Sequence, residues 1–334
     1  MNALATIASY GARIDGPAKE FLAREPRDLY GMLQYFMGYG DTEFVPTPSI
    51  AGKRVRPGLA LYVADAYGES VAAERAALSI ELFHNFSLIH DDIEDHDEFR
   101  RGRETVWKVW GINKALNAGD AQLLLALLAL KGSANVLDVE PYLLTQYLKV
   151  IEGQHQDFSL TELPLSDSRV TKDAYVQMIG NKSAELISAS AVVGGLSVHA
   201  PAPDIELLRV FGFELGLAYQ LFDDHQSIWG SEKETGKKAM GDLIERKKTL
   251  PVIWARDTLS QEDSAELVRL FIDSSATHSE EMRSLLEKAN AKEYLMQTVI
   301  THVEKSLAAL ASLHMAQEHK DLLADFVNEL VPQK

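Results

Sequence analysis

An all-α fold follows from three features of the sequence. Alternating strand patterns and Asn-Gly hairpin signals are absent. Residues 71–96 are apolar on nearly every side, as a helix buried at the centre of a domain must be. Prolines gather where helices would end, three of them within 44–58 and two more at Pro201 and Pro203. The chain carries no low-complexity linker and no clean repeat period. Its 334 residues exceed what one core usually serves, yet a large single all-helical domain spanning 1–334 is the simplest reading.

The elements follow in order. The loop 44–58, FVPTPSIAGKRVRPG, precedes a helix at about 58–68, and the apolar stretch 71–96 comes next. Further helices are expected near 111–131, 141–160, 171–199 and 204–229. The run LLLALLAL, 123–130, is too short to span a bilayer and reads as buried helix. Residues 229–242, WGSEKETGKKAMGD, form a polar loop with glycines. From about 243 shorter amphipathic helices with acidic exposed faces follow, and Ser260 with Asp263 resembles an N-terminal capping arrangement.

Composition narrows the function. Acidic residues outnumber basic ones 49 to 33, for a formal charge of -16, which disfavours nucleic acid as a partner. An anionic ligand would therefore need a local basic patch or metal ions. There is no cysteine, so disulfides and thiolate metal sites are excluded, which fits a reducing compartment. The start, MNALATIASYGARIDG, lacks the charged head and apolar centre of a signal peptide. These features predict a soluble, cytoplasmic protein with no membrane span.

The central apolar stretch ends in HDDIED, 90–95, with RRG at 100–102 close behind. Asp91 and Asp95 are four apart and share a helix face, Asp92 and Asp95 are neighbours three apart, and His84 lies on the Asp91 face two turns earlier. The C-terminal end of a helix is an unfavourable place for negative charge, so something positive must compensate. Oxygen-rich sites of this kind suit magnesium, which takes one or two carboxylates and completes its shell with water and substrate phosphates. A solvated acidic helix end is the plain alternative. The apolar residues FHNFSLI just before it argue instead that the acids face a cavity, where Arg100 and Arg101 would meet anionic groups.

The design recurs at AYQLFDDHQSIWG, 218–230, where Asp223 and Asp224 again end an apolar helix. Two such helices facing each other across a cavity could hold several divalent ions bridged by a diphosphate. Lys53, Arg54 and Arg56 lie in the proline- and glycine-bounded loop, Lys237 follows the second aspartate pair, and Lys247 and Lys248 precede TLP. Lys182, alone in the uncharged stretch MIGNKSAELISASA, calls for a partner. No serine or cysteine nucleophile is indicated, because there is no cysteine and no GxSxG elbow.

Six segments in order resemble a trans-isoprenyl diphosphate synthase of the polyprenyl synthetase family, over roughly 50–255: AGKRVRP (51–57), HNFSLIHDDIEDHDEFRRG (84–102), EGQHQD (152–157), NKSAEL (181–186), YQLFDDHQSIWG and TGKKAMGDLIERKKTLP (235–251). The resemblance implies mostly antiparallel helices around a deep central cavity, a homodimer, and head-to-tail condensation of isopentenyl diphosphate with an allylic diphosphate. By position it implies Lys53, Arg56, His84 and Arg101 as the isopentenyl diphosphate pocket. Asp91, Asp95 and Asp223 become the principal magnesium ligands, supported by Asp92 and Asp224, for three ions per site. Arg100, Lys182, Lys237 and Lys247 would contact the allylic diphosphate, and Ser183 and Gln220 would sit near the developing cation.

Three positions depart from the family pattern. Ser227 stands where a third aspartate is common, Glu185 follows Lys182–Ser183 where an uncharged residue is usual, and Glu104 replaces a proline. Asp223 and Ser227 also fit part of a terpene cyclase metal motif, but position 231 is Ser231, with Glu232 one place late. A cyclase and a non-catalytic partner subunit therefore stand as alternatives to a short-chain synthase. Product length in this family depends on residues just before the first aspartates, here Phe83, Phe86 and Ser87, and an aromatic floor there points to geranylgeranyl diphosphate, with farnesyl diphosphate next.

Overall fold

The computed structural model describes residues 2–48, 52–231, 240–273 and 278–332. Helices dominate it. They are α1 (Ala3–Gly11), α2 (Asp15–Phe21), α3 (Arg27–Phe36), α4 (Val55–Tyr67), α5 (Glu74–Glu94), α6 (Val106–Trp110), α7 (Ile112–Ala129), α8 (Val136–Glu162) and α9 (Lys172–Ile179). There follow α10 (Glu185–Ser197), α11 (Ala202–Trp229), α12 (Gly241–Ile244), α13 (Leu250–Thr258), α14 (Gln261–Ile272), α15 (Ser279–Lys288), α16 (Ala291–Ser312) and α17 (Gln317–Leu330). Among the described residues none of these is long and apolar enough to cross a membrane.

The chain divides into two compact units. The first comprises Met1–Thr145, Ala189–Glu206 and His314–Phe326. Its centre is α5, whose Ala76, Ala77, Leu78, Ile80, Leu82, Phe83, Phe86 and Ile89 are all buried, and which packs chiefly on α7. Helices α1 and α4 approach so closely that a Cβ on Gly11 would lie 2.1 Å from the carbonyl oxygen of Arg54, which only glycine avoids. Buried Asp204 ties this unit together. It accepts from the Tyr67 hydroxyl at 2.5 Å, from the His314 backbone N–H at 2.9 Å and makes a 2.7 Å contact with His314 Nδ1.

The second unit comprises Gln146–Ser188, Leu207–Leu313 and Val327–Lys334. Within it α13 packs on α16, where Trp254 stacks on Tyr294 with ring centroids 3.7 Å apart and Trp254 Nε1 donates to the Ala289 carbonyl at 3.0 Å. Ser306 Oγ donates to the Phe211 carbonyl at 2.9 Å, joining α16 to α11.

Several boundaries differ from the sequence reading for physical reasons. Helix α4 begins at Val55 rather than 58, because Pro57 falls in the first turn, where a missing N–H costs nothing. Helix α8 begins at Val136, five residues before Pro141, so the proline lies inside the helix and leaves one carbonyl of its first turns without a backbone donor. The expected helix 171–199 is two helices joined by a π-type turn at Gly180–Ala184, within reach of the NKSAEL segment. Phe99–Arg100 and Arg103–Glu104 pair as a minimal antiparallel ribbon. Its turn is Arg101–Gly102, both at positive φ (53° and 74°), so the usual Asn-Gly signal was missing. The capping arrangement at Ser260 is present, its Oγ accepting from the Asp263 N–H at 3.2 Å.

Candidate active site

In the first unit α5 delivers His84, Asp91 and Asp95 along one face, and the ribbon after it brings back Arg100 and Arg101. Asp91 is half-buried, Asp92 is buried, and Asp95 caps the helix in the open. Arg100 Nε donates to Asp92 Oδ1, and its Nη2 lies 3.8 Å from Asp97. Asp92 Oδ2 is buried with no hydrogen-bond partner among the described residues. Burial pushes the Asp92 carboxyl up to about 6; Arg100 acts against that shift and Asp97 adds to it.

His84 Nε2 lies 3.2 Å from Arg56 Nη1. A guanidinium only donates, so Nε2 accepts and a neutral ring carries its proton on Nδ1. Burial, followed by the charges of Arg56, Arg101, Arg100 and Arg54, holds His84 well below its usual range and therefore neutral. Lys53 is exposed on the loop just before α4, whose first turn carries Arg56. The Arg101 guanidinium runs along Gly52, where a Cβ would come within 3.0 Å of its Cζ. The result is a patch of positive charge suited to a diphosphate.

In the second unit the π-type turn projects Lys182 and Ser183. Lys182 Nζ donates to Asp157 Oδ2 at 2.5 Å, the partner its isolation called for. A Cβ on Gly153 would lie 2.3 Å from the Lys182 backbone nitrogen, so the glycine of EGQHQD is what lets α8 approach the turn. Ser183 Oγ donates to Gln220 Oε1 at 2.8 Å, Gln220 Nε2 donates to Asp224 Oδ1 at 3.1 Å, and the Tyr175 hydroxyl donates to Asp224 Oδ2. Both oxygens of Asp224 are thus occupied, which suits the supporting part given to it, while Asp223 is its half-buried neighbour. Burial, then the charge of Asp242, pushes the Asp224 carboxyl up. Burial keeps Tyr175 a protonated donor.

The sequence reading passed over four contributors. Asp242 from the closing segment donates its backbone N–H to Ser227 Oγ at 3.1 Å, and burial pushes its carboxyl up to about 6. Asp157 and Tyr175 orient Lys182 and Asp224, and Glu81 binds Arg54. Asp157 and Asp242 stood inside quoted motifs; Tyr175 and Glu81 carried no signal. Lys247 lies 2.8 Å from Glu245, and buried Lys248 donates to the Thr161 carbonyl at 2.5 Å. The unusual Glu185 is absorbed by an ion pair with Lys149 at 2.8 Å. Lys237 lies outside the described residues.

Of the floor candidates, Phe83 is fully buried and Phe86 is 7 % exposed, its ring 5.4 Å from Phe83 and 4.9 Å from His90. Ser87 is half-buried. Measured round the helix from Asp91, Ser87 lies about 40° away, Phe83 about 80° and Phe86 about 140°.

Among the described residues no three His, Asp or Glu side chains converge tightly enough to enclose an ion alone. Magnesium needs fewer, since water and phosphate fill its remaining positions. The all-oxygen donors Asp91, Asp92 and Asp95, with the orphaned Asp92 Oδ2, fit such an ion.

An all-helical chain that carries two aspartate sets and a cationic patch defines the class of isoprenoid-synthase-like proteins. The polyprenyl synthetase family model matches residues 45–289, and the chain belongs to that family. It is 35 % identical over 314 residues to the (2E,6E)-farnesyl diphosphate synthase of Mycobacterium tuberculosis, covering 91 % of this chain and 86 % of that one. It is equally 35 % identical over 307 residues to the geranylgeranyl diphosphate synthase of the same organism, covering 90 % and 85 %. The crystal structure of geranylgeranyl pyrophosphate synthetase from Pyrococcus horikoshii superposes with a TM-score of 0.88 at 29 % identity, over 99 % of this chain and 98 % of that one.

Proposed function

We propose that this chain is a prenyltransferase that condenses isopentenyl diphosphate head-to-tail with an allylic diphosphate, giving a short-chain trans-prenyl diphosphate. The observation that carries the reading is the neutral His84 hydrogen-bonded to Arg56 on the helix that also bears Asp91 and Asp95. An anion pocket beside a metal-ligand set serves two diphosphate substrates, whereas a cyclase would need only the metal set.

Lys53, Arg56, His84 and Arg101 bind isopentenyl diphosphate, and Arg100, Lys182, Lys237 and Lys247 bind the allylic diphosphate. Asp91, Asp95 and Asp223 would hold magnesium, three ions in all, with Asp92 and Asp224 in support. When bound, magnesium supplies positive charge that stabilises the leaving diphosphate. The allylic carbon–oxygen bond breaks to a carbocation and diphosphate. The isopentenyl double bond attacks the cation, and the diphosphate released takes the proton lost from the new chain. Ser183 fixes the Gln220 amide, whose carbonyl dipole faces the cation, and the apolar surroundings keep out water that would quench it.

Geranylgeranyl diphosphate is the favoured product and farnesyl diphosphate the next, with Phe83, Phe86 and Ser87 setting the length. The whole chain, 1–334, works as one domain and as a homodimer in the cytoplasm. Support for the dimer comes from α7, where Ile112, Leu116, Leu124 and Leu128 stand 46, 41, 61 and 39 % exposed at multiples of four residues, an apolar stripe that a second copy would cover.

Product analysis tests the reading. The protein with magnesium is given isopentenyl diphosphate plus dimethylallyl, geranyl or farnesyl diphosphate, and each allylic substrate alone. Longer linear diphosphates are expected. A hydrocarbon or alcohol from an allylic substrate alone would indicate a cyclase, and no product in any mixture a subunit that needs a partner.

A further inference from the structure

Arg54 sits between the two cationic residues assigned to isopentenyl diphosphate, yet it points the other way. It is 4 % exposed and adopts a left-handed backbone (φ 49°) immediately before α4. That conformation turns its side chain into the core while Lys53 stays exposed and Arg56 meets His84. Every nitrogen of its guanidinium donates a hydrogen bond. Nε donates to Asp15 at 3.1 Å, Nη2 to the Met37 carbonyl and the Tyr39 hydroxyl at 3.0 Å each, and Nη1 to Glu81.

Glu81 is the other half of the device. It is 4 % exposed and lies one turn before His84 on α5, and its charge is the largest one acting on both Arg54 and Arg101. Asn85 holds it from the following turn, donating to Glu81 Oε1 at 2.9 Å. Arg101 makes no hydrogen bond or ion pair with a described residue, although the Glu81 charge is the largest one acting on it. A buried carboxylate without its partner seeks another cation. Arg101 is the one at hand.

We propose that Arg54 is a positioning residue: it fixes the junction between the loop that carries Lys53 and the first turn of α4 that carries Arg56, and by holding Glu81 it keeps Arg101 available for the isopentenyl diphosphate. This rests on the functional reading above. Without Arg54, Glu81 would compete with the substrate for Arg101 and place a negative charge beside the diphosphate.

The test is a double-variant cycle read by calorimetric titration. Arg54→Met, Glu81→Gln and the pair together are titrated with isopentenyl diphosphate, and separately with geranyl diphosphate and magnesium. Arg54→Met is expected to weaken isopentenyl diphosphate binding at least tenfold, about 1.4 kcal/mol, and geranyl diphosphate binding less than twofold. Adding Glu81→Gln should recover at least threefold of that loss, since the competing charge is gone. A merely structural Arg54 would weaken both substrates alike and would gain nothing from Glu81→Gln; either result overturns the proposal. Melting temperatures are taken first, and if Arg54→Met does not fold, Arg54→Lys replaces it with a threefold selective loss expected and no selective loss overturning the idea. An unmodified chain that binds no isopentenyl diphosphate would sink the functional reading, and this proposal with it, whereas normal binding by Arg54→Met sinks this proposal alone.

Discussion

Ser227 Oγ accepts the backbone N–H of Asp242 at 3.1 Å, so the closing segment is fastened to the second aspartate region at the position where a third aspartate is common in the family. The carboxyl of Asp242 feels the negative charge of Asp223 and in turn acts on Asp224. A Ser227→Asp variant would add a further carboxylate to this group. In chelator it should lose about 1–2 kcal/mol, roughly 1.5–3 °C in melting temperature for a chain of this size. Magnesium should stabilise it more than it stabilises the unmodified chain. Equal magnesium-induced shifts in the two would show that position 227 does not reach the metal.

A pH dependence follows from Asp92. Its folded value, about 6, lies above the ordinary 3.8, so between those values the folded chain holds a proton that the unfolded chain has lost. Stability supplied by the protonated form is therefore present at low pH and lost as pH rises from about 4 through about 6, at a cost of up to about 3 kcal/mol. Asp242, also at about 6, acts in the same direction. The Asp92→Asn variant isolates the first group. In chelator, the stability difference between Asp92→Asn and the unmodified chain should widen in favour of the variant from pH 4.5 to pH 7, as read from urea unfolding. A constant difference would place the Asp92 carboxyl in its usual range.

What could be read without coordinates was whatever rests on spacing along one helix. His84, Asp91 and Asp95 share a face of α5 because seven and four residues are near-integral turns, and the isolation of Lys182 foretold a partner. Hidden from the sequence was everything that depends on which helix lies opposite. Nothing about Asp157 marks it as that partner, and nothing about Tyr175 marks it as the donor to Asp224. Helices α1 to α3 received no individual assignment, since they are short and joined by brief turns. The ribbon at 99–104 escaped because two residues per strand cannot establish an alternation.

Asp157 fixes the direction of the Lys182 side chain. The pair is partly exposed, with side chains 19 and 26 % accessible, so its direct worth to stability is small. Asp157→Asn keeps the shape and one acceptor oxygen but loosens the hold. Steady-state kinetics should show KM for the allylic substrate rising threefold to tenfold, with KM for isopentenyl diphosphate within twofold. Parallel increases in both would assign Asp157 a general structural part.

Chain length offers the sharpest contrast between neighbouring residues. Ser87 lies only about 40° round α5 from Asp91, whereas Phe86 lies about 140° away and packs its ring on Phe83 and His90. Ser87→Phe introduces a bulky ring one turn below Asp91 and should shorten the product by at least one isoprene unit. Phe86→Ala removes a ring that backs the same level of the helix and should lengthen it, at a stability cost of about 3–5 kcal/mol for the cavity left behind. Products are compared by mass spectrometry at a temperature where both variants remain folded. Shortening by Ser87→Phe with no change from Phe86→Ala would assign the floor to the Ser87 face and leave Phe86 as core packing between α5 and α7. No change from either variant would remove this turn of α5 from the control of length, because a ring added on the Asp91 side must meet any chain that grows past it.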